Sequence, residues 1–447
     1  MPEQITNKKI VARSLDSVWH PCTQMKHHEQ FPLVPIKRGE GAWLFDFEGK
    51  RYLDAVSSWW VSLFGHANPR INAALKDQID KLEHVMLAGF THEPVIELSE
   101  RLAKLTGLGH AFYGSDGASA VEIALKMSFH YWRNTGQTKK KKFVSLEGSY
   151  HGETLGALSV SDVAIFRDAY GPLLNNNLRT PFPGKIGVEP ASARLMAAND
   201  PADHASAGAS LEKLLAANYD EIAALIVEPL VQGASGMRMY HPDYLRRARA
   251  LCDQYQVHLI ADEIMTGFGR TGTMFACEQA GIKPDFMCLS KGLTGGYLPL
   301  SCVLSSDAIY AAFYDDDITR GFLHSHSYTG SALACRAALA TLDIFDSGNV
   351  IERNSLKASQ FSARAEALRR HPAVANFRHL GMIWAFDAKN AKPGFAREFF
   401  AASLRRGVLL RPIGNTVYFM PPYIVTEDEF SWLVEQTIST LDEVFPQ

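Results

Sequence analysis

Between residues 110 and 305, short apolar runs alternate with stretches of helical periodicity, and few folds accept that order. The runs at 143–146, 224–227, 257–261, 286–289 and 302–304 are aliphatic or β-branched and too short to be helices. Between two of them, residues 244–255 place Leu245, Ala248, Leu251 and Cys252 on one face at helical spacing. Strand, helix, strand in series requires crossover connections. The prediction is an α/β fold whose mainly parallel sheet is covered on both faces. Residues 181–210, rich in Pro, Ala, Gly and Ser, read as a long excursion between sheet elements.

The ends of the chain differ from this middle. Residues 35–56 hold strand-like pieces with turns at 39–41 and 48–50. Beyond 340, helices lead to a predicted hairpin, 409–412 with 417–420, through Gly414-Asn415. The organisation predicts a large domain at 66–335 and a smaller α+β domain built from 1–65 and 336–447. A net charge of −3 gives no reason to expect nucleic acid as a partner, and the lysine run 139–142 reads as a solvated loop. Six cysteines without paired metal spacing read as thiols in a reducing compartment. With no apolar run long enough to span a bilayer and no secretory pattern, a cytoplasmic protein is expected.

Two of the short apolar runs end in chemistry. The stretch at 257–261 leads into Asp262, and 286–289 leads into Ser290-Lys291-Gly292. A lysine and an aspartate at neighbouring strand ends suit pyridoxal phosphate. The amine can form a Schiff base with the aldehyde, and the carboxylate keeps the pyridine nitrogen protonated. The run Gly114-Ser115-Asp116-Gly117-Ala118-Ser119 opens a helix, with Ser119 and Glu122 at capping-box spacing. Such an N-terminus offers free N–H groups to a phosphate; alone it is more often a plain cap, and beside Lys291 and Asp262 the phosphate reading becomes the better one. Tyr150, after the run at 143–146, can stack on a planar cofactor, though a tyrosine there is more often packing. Glu228, at another strand end, reads equally as a helix cap or as part of the site.

Other motifs weigh less. Gly267-Phe268-Gly269-Arg270-Thr271-Gly272 matches a dinucleotide fingerprint, but its glycines do not follow directly on the strand. It is assigned to a glycine-shaped loop with Arg270 turned to substrate; a dinucleotide-dependent oxidoreductase is the weaker alternative. His324-Ser325-His326 lacks a third ligand, so no metal is expected. Trp59-Trp60 suit either a core or an aromatic wall, and Arg411 either a surface ion pair or a carboxylate clamp.

Together these motifs resemble the class III, fold type I aminotransferases over nearly the whole chain. The resemblance rests on Leu259-Ile260-Ala261-Asp262-Glu263, Thr266-Gly267-Phe268-Gly269-Arg270-Thr271-Gly272 and Ser290-Lys291-Gly292. Four further runs look like the branch serving biotin synthesis: Trp19-His20-Pro21, Ser57-Ser58-Trp59-Trp60, Val231-Gln232-Gly233-Ala234-Ser235-Gly236-Met237, and Arg411-Pro412 with Met420-Pro421-Pro422-Tyr423. The resemblance implies Lys291 as the covalent lysine, Asp262 under the pyridine nitrogen and Tyr150 over the ring. It implies a phosphate held by Gly117 and Ala118, joined by His326 and Ser327 of the other subunit of a homodimer whose active sites lie at the interface. Trp59, Trp60, Ser325, Arg411 and Tyr418 would line the substrate pocket. The implied reaction moves an amino group from adenosylmethionine or lysine to 8-amino-7-oxononanoate, giving 7,8-diaminononanoate. A class III transaminase acting on ornithine or an ω-amino acid is the alternative. Three positions depart from the pattern. Ala118 stands where serine or threonine is usual, Ser327 where threonine is common, and Cys22 where an aromatic residue is typical, which leaves the donor open.

Overall fold

The computed structural model describes residues 5–31, 33–184 and 201–446. Near the N-terminus, β1 (Ile36–Glu40), β2 (Trp43–Asp46) and β3 (Arg51–Asp54) form an antiparallel meander. The seven strands of the central sheet follow: β4 (His110–Gly114), β5 (Lys142–Leu146), β6 (Leu178–Thr180), β7 (Ile222–Val227), β8 (His258–Asp262), β9 (Phe286–Leu289) and β10 (Ser301–Ser305). Their spatial order is β4-β10-β9-β8-β7-β5-β6. The five strands β6, β5, β7, β8 and β9 pair in parallel; β10 is antiparallel to both its neighbours, β9 and the edge strand β4, so β4 runs in the same direction as the five. Every residue of β7, β8, β9 and β10 is buried, as expected for strands covered on both faces. One cover is the helix Gly117–Asn134, which buries Val121, Leu125, Ser128 and Trp132; another is Pro242–Gln254, which buries Leu245, Ala248, Leu251 and Cys252.

At the C-terminal end, β11 (Val374–Leu380), β12 (Ile383–Ala388) and β14 (Thr416–Phe419) form a three-stranded antiparallel sheet. The short strand β13 (Val408–Leu409) pairs in parallel with β3, tying the two ends of the chain together. Among the described residues no helix is long and apolar enough to cross a membrane.

Four expectations need correction. The hairpin does not form: β13 joins β3 and β14 joins β12, leaving only an isolated bridge, Ile413 to Thr416, at the turn. Pro412, with no N–H to donate, cannot extend that ladder. The excursion at 181–210 ends early, because 201–210 belongs to the helix Pro201–Asn218; residues 185–200 lie outside the described residues. The lysine run is not all solvated. Lys140 is 3% exposed and its Nζ donates to the carbonyls of Tyr219, Ile222 and Gln256 at 2.6, 3.1 and 2.8 Å. Burial lowers its pKa to about 8. Lastly, Ser119 and Glu122 make no capping box. Asp116 is the N-cap, accepting from Ser119 N at 2.9 Å, and Glu122 instead accepts from Thr154 Oγ1, Gly156 N and Ala157 N.

Candidate active site

Adjacent parallel strands place the residues just past their carboxyl ends side by side, in the crevice where α/β sheets hold ligands. β8 ends on Asp262, Glu228 follows β7, Lys291 lies two residues past β9, and the segment 149–154 follows β5. Asp262 is 5% exposed, and its Oδ2 lies 2.7 Å from Nδ1 of His151, which is 2% exposed. That contact gives a buried carboxylate the partner it needs. Oδ1 accepts only a 3.2 Å bond, from Ile264 N, among the described residues. On the other side of the imidazole, Nε2 is buried without a hydrogen-bond partner. An orphaned buried polar atom costs about 1–3 kcal/mol and calls for a bound group or a function.

Lys291 has a left-handed backbone, φ 44°, at the start of a single 3-10 turn. Its amine lies 5.0 Å from the Trp60 ring centroid and has no hydrogen-bond or ion-pair partner among the described residues. Burial lowers its pKa, opposed by the Asp262 and Glu228 carboxylates, so the neutral, nucleophilic amine gains weight. Burial also pushes Glu228 up to about 7, with His151 lowering it and Asp262 raising it. Glu228 accepts from Tyr150 N and from Gly233 N, both at 3.0 Å. It therefore fixes the backbone of the Tyr150 segment and does not cap a helix. Tyr150 donates its hydroxyl to Glu153 at 2.8 Å, and burial raises its pKa.

The helix N-terminus at Gly117 and Ala118 sits against this cluster. A Cβ on Gly117 would lie 3.1 Å from Ile264 Cγ2, and one on Gly152, at φ 121°, would lie 2.6 Å from Ala118 Cβ. Small residues there let the 149–154 segment close on the helix while the first-turn N–H groups stay without intrahelical partners.

The tryptophans stand on an unusual turn. Ser57, Ser58, Trp59 and Trp60 have φ of 51°, 46°, 71° and 73°, a left-handed stretch of four non-glycine residues. Such a conformation costs about 1–2 kcal/mol per residue, so packing and hydrogen bonds must hold it. Trp60 donates Nε1–H to Tyr418 Oη at 3.0 Å and is buried, while Trp59 is 43% exposed with the Arg411 guanidinium 4.5 Å from its ring. Arg411 donates to Cys22 O at 3.2 Å, and no carboxylate among the described residues pairs with it, so the surface ion-pair reading fails. Cys22 is exposed as a residue, and partial desolvation by its neighbours raises its thiol pKa against the lowering pull of Arg411.

Among the described residues, no hydrogen bond, ion pair or ring contact joins the 324–329 segment to Asp262, His151 or Lys291. His326 Nε2 lies 3.2 Å from His324 Nε2, His324 Nδ1 lies 2.8 Å from Lys126 Nζ, and Ser327 O accepts from His84 at 2.7 Å. Ser325 and Ser327 are exposed. Arg270 does not turn to substrate. It is buried and spends its guanidinium on the carbonyls of Pro421 and Ser62, at 2.8 and 3.1 Å, with the Tyr423 ring 4.9 Å away. His204, His241 and Asp243 bring ligand atoms within 4.8 Å of one another, but His241 Nδ1 caps a helix by accepting from Asp243 N, and Asp243 is paired with Arg246. His151 was missed by sequence reasoning; its only signal was adjacency to Tyr150.

Comparison with known proteins agrees with this geometry. The profile of the family Aminotransferase class-III matches residues 23–441. The adenosylmethionine-8-amino-7-oxononanoate aminotransferase of Helicobacter pylori is 49% identical over 444 residues, 98% of each chain, and that of Geobacter sulfurreducens is 39% identical over 94% of each. The crystal structure of the same enzyme from Methanocaldococcus jannaschii superposes with a TM-score of 0.90 at 34% identity, covering 98% of this chain and 99% of that one. An omega transaminase from Pseudomonas jessenii in complex with PMP superposes with a TM-score of 0.90 at 27% identity, covering 97% and 98%. A buried aspartate, a desolvated lysine and a glycine-opened helix end converge in a chain that matches its relatives from end to end: it belongs to the class-III aminotransferases.

Proposed function

We propose that this aminotransferase uses pyridoxal phosphate to move an amino group from adenosylmethionine, or from lysine, to 8-amino-7-oxononanoate, giving 7,8-diaminononanoate for biotin synthesis. The observation that carries the chemistry is the unpaired Lys291 amine beside the buried Asp262–His151 pair. The substrate assignment rests on the full-length likeness to relatives named for that reaction.

The residues fit the cofactor. Asp262 has an oxygen with spare accepting capacity, Lys291 has a free amine, and Gly117 and Ala118 offer first-turn N–H groups. When bound, pyridoxal phosphate supplies a reactive carbonyl carbon and an electron-withdrawing ring. His151 fixes the direction in which the Asp262 carboxylate points, through their 2.7 Å contact. Lys291, biased toward its neutral form, takes the proton from the amine-bearing carbon of the donor and returns one to the acceptor carbon. Tyr150, pinned through its backbone by Glu228, walls one side. Trp59, Trp60 and Tyr418 exclude water around an aliphatic chain, and Arg411 clamps a carboxylate. Ser325, His326 and Ser327 serve the site of the partner subunit in a homodimer, which accounts for the missing bonds from them to Asp262, His151 or Lys291 among the described residues of their own chain. The domain division at 66–335 against 1–65 with 336–447, and a cytoplasmic location, belong to the same reading.

The test is direct. The cofactor-loaded enzyme is mixed with 8-amino-7-oxononanoate and either adenosylmethionine or lysine, and 7,8-diaminononanoate is measured by mass spectrometry. One donor should give product. Product from neither, with turnover of ornithine or β-alanine instead, overturns the substrate assignment.

A further inference from the structure

The left-handed turn at 57–60 needs a cause, and the structure supplies one. Asp54, fully buried at the end of β3, receives Ser58 N at 2.9 Å on Oδ1, with Val56 N at 3.4 Å. Its Oδ2 receives Ser58 Oγ at 2.7 Å and faces His66 Nε2 at 3.0 Å. Both oxygens are thus committed to the start of the turn and to the residue that braces it. The turn is also pinned where Ser57 Oγ donates to Met420 O at 2.7 Å and where Trp60 Nε1 donates to Tyr418 Oη at 3.0 Å. Behind it the chain is packed, since a Cβ on Gly296 would lie 2.9 Å from Ser62 N.

We propose that Asp54 is a positioning residue: its carboxylate holds the left-handed turn and so sets where Trp59 stands against Arg411 and Trp60 against Lys291. This rests on the reading that the tryptophans wall the substrate pocket. Asp54 touches no reacting atom. Its role is to make an otherwise unfavourable backbone the only one available, so that both rings are in place before substrate arrives.

The experiment compares Asp54→Ala, Ser58→Ala and the double variant Asp54→Ala/Ser58→Gly in the cofactor-loaded enzyme. Asp54→Ala should raise KM for 8-amino-7-oxononanoate about tenfold or more with kcat within about threefold, because ground-state placement is lost and proton transfer is not. The near-ultraviolet circular dichroism of the tryptophans should change in parallel. Glycine adopts left-handed angles without a Cβ penalty, so the double variant should recover both KM and the spectrum toward wild type. Unchanged KM and spectrum in Asp54→Ala, or no recovery by Ser58→Gly, overturns the proposal. If Asp54→Ala does not fold, Ser58→Ala decides: a smaller rise in KM with a changed spectrum supports the clamp, and wild-type values refute it. If wild-type enzyme does not use this substrate at all, the substrate reading fails, while the spectra still report on the clamp.

Discussion

The floor of the site and its mouth are built on different principles. On the floor, Asp262, His151 and Glu228 are buried at strand ends, and each is tied by hydrogen bonds that leave little freedom. At the mouth, Trp59, Arg411 and Cys22 are partly or fully exposed, and stacking and a single backbone bond join them. A buried polar network is costly to alter, because any lost partner leaves an unsatisfied group in a low dielectric. A solvated rim is cheap to alter. An omega transaminase shares this fold at 27% identity, with a TM-score of 0.90. On the proposed reading, the floor carries the chemistry and the mouth is where choice of substrate can vary.

Substitutions can break or sharpen that division. Lys291→Ala should cut turnover by about 10^4-fold or more, since nucleophile and proton carrier are lost together; substantial residual transamination measured by product formation would refute the role. Asp262→Asn should leave cofactor bound by absorbance yet lower kcat about 10^2- to 10^3-fold, because a neutral amide cannot keep a pyridine nitrogen protonated as a carboxylate does. Near-normal rates there would move the chemistry off the floor. A third test uses pH. Glu228 has its folded pKa raised from 4.5 to about 7, so the native state binds the extra proton in that window. Its contribution to stability is present below about pH 4.5 and is lost as pH rises through 7, on the order of a few kcal/mol. The stability difference between wild type and Glu228→Gln, followed by denaturant unfolding, should therefore fall across pH 4.5 to 7, and a flat difference would contradict the shift. At the mouth, Arg411→Lys should raise KM for the carboxylate-bearing acceptor by about tenfold while sparing kcat, because the planar fork is lost and the charge is kept. A comparable loss in kcat would show that mouth and floor are not separable.

The core strands were legible because burial on both faces writes itself as an unbroken apolar run, as in β7, β8 and β9. The edges were less so. β4 and β6 carry His110 and Arg179 and lack the full burial that would mark them. The missing hairpin had the right turn residues, yet β3 and β12 offered better partners to its two arms than they offered each other. Glu122 had capping-box spacing but was drawn away by the 154–157 backbone, a long-range competitor that local spacing cannot reveal.

Sequence alone determined the family, because the runs around Asp262 and Lys291 and at 267–272 are contiguous and their resemblance to class III aminotransferases can be read without a fold. Tertiary structure decided the rest: that His151 braces Asp262, that Arg270 is an internal strut, and that the 57–60 backbone turns left-handed. Those outcomes depend on which groups meet across more than a hundred residues of chain, or on strain that local preference opposes, and neither is encoded in spacing.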